Sequence, residues 1–219
     1  MTDLERLQLL EKRIKELVPS FEVRFKDESP FMKILGRILF FNKGFMTNFI
    51  TTIGTKVYFQ SRRSYLADPK NSFSVLAHEF VHVLDFVLNP VRFVCGYLFP
   101  QNLSLLSLFA SFSFLSPHFM LCLLFLLCLA PIPSIPRKNS EIRGSGMSLK
   151  VLQWRGESTE RLEWWVAHNA DNFVNSNYWY MYPFRDRVEK ELTVWLADDS
   201  CLTDKNVAYA EVRNIMLVQ

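Results

Sequence analysis

The 219-residue sequence is poor in glycine and cysteine, and it contains one long stretch without charged residues. Its 7 glycines are too few for a collagen-like chain or a flexible Gly/Ser linker. None of its 4 cysteines forms a Cys-x-x-Cys pair, which argues against a disulfide framework and a cysteine zinc site. The net charge of +3 is small and evenly spread, so no nucleic-acid partner is expected. The polar start of the chain lacks the apolar run of a signal peptide, so a cleaved secretion signal is not expected.

Hydrophobic residues make up 49% of the chain, which excludes intrinsic disorder, and the length suits a single domain over residues 1–219. The residue pattern predicts a mostly helical α+β fold. Short β segments are expected at residues 21–25 and 51–59. Residues 31–50 are apolar and show no clear period. Helices are expected at residues 4–18, 69–88, 141–154, 159–175, 183–198 and 204–216.

The clearest chemical signal is an H-E-x-x-H motif at residues 78–82, inside the predicted helix 69–88. His78 and His82 are spaced i and i+4, so both imidazoles project from one helix face and can chelate one Zn²⁺. Glu79 is offset by about 100° around the helix, which suits a general base that takes a proton from zinc-bound water. Random order would give roughly 0.004 such motifs in a chain of this composition.

A catalytic zinc site needs a third protein ligand, and the sequence offers four candidates. Asp85 follows the motif on the same helix, but a straight helix cannot easily wrap three ligands around one ion. Asp85 is therefore expected to hold a histidine N–H, unless it is an ordinary surface carboxylate. His168 and Asp171 lie on a later helix, where a polar helix face would explain them equally well.

Glu141 is the preferred third ligand. It is expected to open the first helix after the apolar stretch, a position that the helix dipole would also favour for any glutamate. Gly144 and Gly146 follow it, and small residues there would let this helix pack closely against the helix of the two histidines. The sequence thus predicts a zinc site formed by His78, His82 and Glu141.

These motifs resemble those of zincin metallopeptidases of the gluzincin kind, which carry H-E-x-x-H on one helix and a glutamate ligand on a later one. The chain more closely resembles predicted metallopeptidases encoded by tailed bacteriophages. The shared segments are HEFVHVLD, YLFPQ, a hydrophobic block, an EIRG-type segment, MSL and YWYMYPF, within roughly residues 51–184. Ser145 stands where prenyl-protease-like gluzincins usually carry an aspartate.

The resemblance implies a zincin-like core, in which the active-site helix lies beside a small edge sheet. Residues 51–59 would supply an edge strand that aligns a peptide or protein substrate. It also implies that Zn²⁺ is the cofactor and that Glu79 is the catalytic base.

Residues 92–136 form an inserted apolar block, with no Asp, Glu, Lys or Arg between Phe93 and Pro136. Its two apolar runs, 103–115 and 119–130, are each shorter than a membrane-spanning helix. One kinked span, a helical hairpin, a re-entrant hairpin and a buried soluble core are the alternatives. If one metal ion is bound by residues before and after the block, both flanks lie on the same side of a membrane. This favours a hairpin that turns near residues 116–118.

Both flanks of this block are basic, so the positive-inside rule places them, with the catalytic part, on the cytoplasmic face of a membrane. For a phage-encoded chain that membrane would belong to the bacterial host. The aromatic run 178–182, with Trp164 and Trp165, would be either an interfacial belt or core. A tyrosine hydroxyl of that run, or His168, would stabilise a tetrahedral oxyanion.

The sequence therefore predicts a membrane-associated zinc peptidase, an endopeptidase in the first place. The alternative is a non-catalytic membrane or virion protein with a structural or vestigial zinc site. A structural site would be closed by a fourth protein ligand, such as Asp85 or His168. A fortuitous motif without metal is the third interpretation.

Overall fold

The computed structural model describes residues 1–40, 44–175, 178, 180–197 and 207–217. Helices dominate this part of the chain and accompany one small sheet, so the predicted mostly helical α+β class is confirmed. The chain begins with α1 (Asp3–Leu17), β1 (Glu22–Phe25) and α2 (Pro30–Ile38). It continues with β2 (Thr51–Ile53), β3 (Lys56–Phe59), α3 (Arg62–Ala67), α4 (Pro69–Leu88) and α5 (Pro90–Tyr97).

Two 3₁₀ helices, Gln101–Phe112 and Pro117–Leu129, come next. The chain then forms α6 (Ile135–Trp154), α7 (Thr159–Val174), α8 (Arg185–Ala197) and α9 (Val207–Leu217). Each helix predicted after residue 140 is present, with shifted ends. Residues 198 and 204–206 of the last two predictions lie outside the described residues, as do Trp179 and Cys201.

The sheet has the strand order β1–β3–β2, with β1 parallel and β2 antiparallel to β3. The predicted β segment 51–59 is thus a hairpin, whose turn contains Gly54 at φ +64°. Such a positive φ costs glycine little, because it has no Cβ. The hairpin leaves β2 at the edge of the sheet and β3 in its centre.

The motif helix α4 has the predicted bounds. Asp68 accepts a hydrogen bond from the Asn71 amide at its start, and Asn89 ends it. Its face of Phe73, Leu76 and Phe80 is fully buried in the main core, among residues from α1, the sheet and α9. This burial fixes the rotation of α4 and hence the direction in which the motif points.

The start of α6 differs from the prediction. The helix begins at Ile135 rather than at Glu141, with Ser134 as its N-cap and Pro136 in its first turn. A proline near a helix start is favourable because the missing N–H has no partner there in any case. Glu141 therefore lies inside the helix and is buried, away from the terminal turn.

Helix α6 joins two cores. Met147 and Val151 belong to the main core, whereas Ile142 and Leu149 pack with α7 and α8 in a second core. Burial on both sides explains why this helix lacks the amphipathic pattern of a surface helix.

The two 3₁₀ helices form a hairpin that packs on itself and has no buried residue. Ser116 caps the second arm, so the turn lies where the sequence predicts it. The arms are 3₁₀ rather than α-helical. At their base, the side-chain amide of Gln101 donates to the Ala130 carbonyl at 3.3 Å. Large exposed apolar side chains cover the hairpin, among them Leu105, Leu108, Phe114, Leu115, Leu121, Leu124 and Leu127.

No single described helix combines the length and apolar character that a membrane crossing requires. Helix α5 and the first 3₁₀ helix meet that requirement only as a pair, and they are bent by 89° relative to each other. Helix α5 instead packs against α4 and α6.

Candidate metal centre

Three predicted ligand side chains meet between α4 and α6. The Nε2 atoms of His78 and His82 are 3.1 Å apart. Glu141 Oε2 lies 3.4 Å from His78 Nε2, and Glu141 Oε1 lies 3.9 Å from His82 Nε2. Donor atoms about 2.0–2.1 Å from a tetrahedral zinc ion would be about 3.3 Å apart. The three side chains thus form a cluster that can hold a metal ion.

The site depends on a close approach of α6 to α4. A Cβ on Gly144 would lie 2.6 Å from His78 Nε2, which no side chain at that position could tolerate without movement. The predicted role of Gly144 in close packing agrees with this contact. Gly146 does not face α4, since a Cβ there would lie 2.5 Å from the Trp195 ring of α8.

Glu141 is almost fully buried and remains ionised. Burial alone would raise the pKa of its carboxyl group. The hydrogen bond with His78, the charges of both histidines and the hydrogen bond with Tyr97 outweigh burial and lower the pKa to about 2. A carboxylate that stays charged is the form that binds a metal.

Burial favours the neutral form of both histidines, but the net pKa shifts of the two are opposite. Burial lowers the pKa of His82, which is therefore neutral, the form that ligates a metal. For His78 the effect of burial is overcome by the hydrogen bond with Glu141 and the charges of Glu79 and Glu141, so its pKa is raised. These carboxylates favour a positive charge at His78, and a bound metal ion would supply that charge in place of the proton.

Ser140 orients the His82 ring. Its hydroxyl lies 3.2 Å from His82 Nδ1, the nitrogen that faces away from the cluster. Asp85, expected in this role, instead pairs with Arg143 through contacts of 2.8 and 2.5 Å and links α4 to α6. Arg143 lies 58 residues after Asp85, so no local pattern in the sequence predicts that it pairs with the Asp85 carboxylate.

His168 and Asp171 do not join the cluster. The His168 ring stacks on Trp164 with centroids 4.9 Å apart, and Asp171 pairs with Arg185 at 2.6 Å. Among the described residues, the cluster of potential ligands contains only His78, His82 and Glu141.

Glu79 lies beside the cluster and lines the same cleft, whose volume is about 410 Å³. Its carboxylate accepts a hydrogen bond of 2.6 Å from the Thr52 hydroxyl on β2. Only 9% of Glu79 is exposed, so the strand holds this side chain in place. The edge strand predicted beside the motif helix is therefore β2.

Tyrosine hydroxyls also reach the site. Tyr97 on α5 donates its hydroxyl hydrogen to Glu141 Oε1. Tyr178 lines the same cleft, and burial together with the charge of Glu141 raises the pKa of its hydroxyl group. Tyr178 belongs to the predicted aromatic run. Tyr97 was not expected, because it stands in the apolar block, where α5 turns back towards the body. Arg137 also lines the cleft. Its signal in the sequence is its i, i+4 spacing to Glu141.

Comparisons of this chain with protein-family models, curated proteins and solved structures give no match.

Proposed function

We propose that this chain is a zinc-dependent peptidase. His78, His82 and Glu141 hold the metal, and Glu79 is the general base. The proposal is carried by the three-ligand cluster, whose donor atoms lie 3.1–3.9 Å apart. This is near the about 3.3 Å between the ligands of a tetrahedral zinc ion, and the cluster opens into a cleft that also contains Glu79. Two histidines and one carboxylate leave a coordination position for water or substrate.

When bound, zinc would polarise the scissile carbonyl and acidify a water molecule. Glu79 takes the proton from the attacking water and then donates it to the leaving amine. Thr52 holds the Glu79 carboxylate through its hydroxyl, so the base does not have to be ordered during the reaction. Tyr97 anchors Glu141 by donating its hydroxyl hydrogen to the carboxylate.

The edge strand supports a peptide as the substrate class. Ile50, Thr51 and Thr52 line the cleft next to Glu79. Strand β2 pairs with β3 on one side, so its other edge offers backbone groups to an extended peptide. A sheet edge beside an H-E-x-x-H helix is the arrangement expected of a zincin-like core, which is part of this proposal.

A non-catalytic site is less well supported. A structural zinc site is normally closed by a fourth protein ligand. Asp85 and His168, the candidates for that ligand, are engaged with Arg143 and Trp164. A closed structural site does not need an open cleft beside the cluster, nor the Glu79 carboxylate that lines it.

The proposal includes attachment to a membrane through the hairpin of residues 101–129. Its arms of 12 and 13 residues would be about 24–26 Å long at the 3₁₀ rise of about 2.0 Å per residue. This is shorter than the hydrocarbon core of about 30 Å, which favours a re-entrant insertion. The arms meet at their base, so both basic flanks remain on one face, proposed as cytoplasmic.

Metal content tests the site directly. Protein extracted in detergent should contain about one zinc per chain by mass spectrometry, and His82→Ala should lose it. Glu79→Gln should keep the zinc but lose peptide hydrolysis. Loss of zinc from Glu79→Gln would contradict the separate roles of ligand and base. Folded protein that binds iron, or no metal, would contradict the zinc peptidase.

A further inference from the structure

Arg137 brings to the cleft a positive charge that the proposed reaction does not use. It lies in the first turn of α6, and its backbone amide donates to the Ser134 cap. Glu141 follows one turn later on the same helix face, so both side chains line the cleft.

Arginine and glutamate at i and i+4 of a helix usually attract each other. Here the Glu141 carboxylate is occupied by His78 and by the Tyr97 hydroxyl. The Arg137 guanidinium lies instead over the face of the Tyr97 ring, 5.2 Å from its centroid. Tyr97 thus lies between the Arg137 guanidinium and the Glu141 carboxylate, and its ring positions the guanidinium.

Arg137 has no ion pair within the part of the chain that the structure describes, and its Nε is buried without a hydrogen-bond partner. The neighbouring cations on α6 behave differently, since Lys138 pairs with Glu191 and Arg143 pairs with Asp85. A buried donor without a partner costs free energy, which a bound ligand would recover.

The charge of the cleft indicates the kind of ligand. A divalent ion would be balanced by the carboxylates of Glu79 and Glu141, which leaves the charge of Arg137 uncompensated. A guanidinium matches a carboxylate with two parallel hydrogen bonds. Peptides carry such a group at the C-terminus and on aspartate and glutamate side chains.

We propose that Arg137 binds a carboxylate of the peptide substrate and thereby selects peptides with a negative charge within about two residues of the scissile bond. This inference rests on the proposed peptidase function. Four residues of α6 rise about 6 Å, which is roughly the length of two residues of an extended peptide. The selected carboxylate therefore lies within about two residues of the bond that is cleaved.

Binding to zinc-loaded Glu79→Gln protein, which would not hydrolyse the probes, tests the inference by calorimetry. One probe pair is N-acetyl-Ala-Phe-Leu-Ala with a free C-terminal carboxylate or a C-terminal amide. A second, amidated pair ends in Glu or Gln. Adding Arg137→Gln should weaken binding of the carboxylate probe by about tenfold to a hundredfold and leave its neutral partner unchanged.

The two pairs separate the sources of the carboxylate. A difference confined to the first pair identifies the peptide C-terminus, and one confined to the second identifies an acidic side chain. Arg137→Lys should retain part of the preference, because it keeps the charge but loses the paired hydrogen bonds. Arg92→Gln is the matched control. This exposed arginine of α5 lines the neighbouring cavity rather than this cleft, and its loss should change neither pair.

Equal weakening of charged and neutral probes would overturn the inference and indicate that Arg137 acts on the peptide carbonyl. The inference would also be overturned if Glu79→Gln protein with Arg137 intact bound the charged and the neutral member of each pair equally. Failure of this protein to bind any probe would overturn the inference as well. A third outcome separates the two proposals. If the unmodified protein contains zinc but hydrolyses no peptide, while carboxylate probes still bind more tightly through Arg137, only the peptidase function is refuted.

Discussion

At the level of single residues, the ring of His82 is oriented by Ser140 rather than by an acidic partner. The hydroxyl lies 3.2 Å from His82 Nδ1 and fixes which nitrogen faces the cluster. Removing such a partner typically weakens metal binding about 10–100-fold. We expect Ser140→Ala to lower zinc affinity about tenfold in a competition titration with a chromogenic chelator.

Ser148→Ala is the control, since Ser148 also lines the cleft from α6 but donates to the Ser74 carbonyl instead of a histidine. Equal zinc affinity of Ser140→Ala and the unmodified protein would show that packing alone orients His82.

Gly144 is the second residue on which the cluster depends, because a Cβ there would lie 2.6 Å from His78 Nε2. Gly144→Ala should displace the His78 ring and lower zinc affinity at least about tenfold, with a loss of stability of about 1–3 kcal/mol. Chelator competition and thermal unfolding measure the two effects.

The control is Gly96→Ala on α5. Its Cβ would lie 3.5 Å from Pro136 of α6, an ordinary van der Waals distance. If both alanine variants bound zinc alike, the contact between α6 and His78 would not govern the site.

Thr52 is predicted to affect the rate but not the metal. Its hydroxyl donates to Glu79 Oε2 at 2.6 Å, and valine has the same shape without that donor. We expect Thr52→Val to keep a full complement of zinc while kcat falls about tenfold, since a positioned base contributes about 10²–10⁴ to the rate. Thr55→Val, in the turn of the same hairpin, removes a hydroxyl that donates to the Ser20 carbonyl outside the cleft and should leave kcat unchanged. A parallel loss of zinc in Thr52→Val would assign the strand a structural role instead.

At the level of secondary structure elements, the motif helix was predictable and its partner helix only partly so. Asp68, Pro69 and Asn89 mark the ends of α4 by local rules that packing does not override. The sequence predicts that the partner helix opens at Glu141, yet α6 begins at Ile135 and has Pro136 in its first turn. Local sequence does not decide between these outcomes, because the burial of α6 in two cores depends on distant residues.

The assignment of α5 shows the same limit. Composition places Tyr97 in the apolar block, but the chain bends by 89° between α5 and the hairpin, and Tyr97 reaches Glu141. The pairing of Asp85 with Arg143 likewise joins two helices far apart in the chain. Such contacts depend on the tertiary fold, so a single sequence carries little signal for them.

A buried lysine holds residues 45–49 in place. Lys26 is fully buried after β1 and donates to the carbonyls of Phe45 and Phe49, both of which line the cleft. Burial, partly offset by the charge of Glu79, lowers the pKa of Lys26 to about 8. The unfolded lysine keeps its proton to about pH 10.4.

The unfolded state therefore binds more protons than the folded state between these pH values, and stability rises with pH across that window. The contribution of Lys26 should amount to at most about 3 kcal/mol. Urea unfolding between pH 7.5 and 10 should show a rise that Lys26→Met lacks and that Lys33→Met, at an exposed position of α2, retains. An identical pH dependence in Lys26→Met would mean that the folded lysine titrates normally.

At the level of the whole molecule, the hairpin is structurally separable from the body. The cluster of His78, His82 and Glu141 lies on α4 and α6 and has supporting contacts from α5 and β2, whereas the hairpin arms contact mainly each other. An exposed apolar surface of this size normally marks an interaction site. The residues of the proposed reaction thus lie in the body of the molecule, and the hairpin contributes none of them.

This separation predicts that residues 101–129 can be replaced by a short Gly-Ser linker, because Gln101 and Ala130 already meet at the hairpin base. The shortened protein should keep the zinc content and peptide hydrolysis of the full chain. In a flotation assay with vesicles of phosphatidylcholine and phosphatidylglycerol, the full chain should float and the shortened protein should remain at the bottom. Flotation of both would assign membrane binding to the body. Loss of zinc from the shortened protein would mean that the hairpin supports α5 and, through Tyr97, the metal site itself.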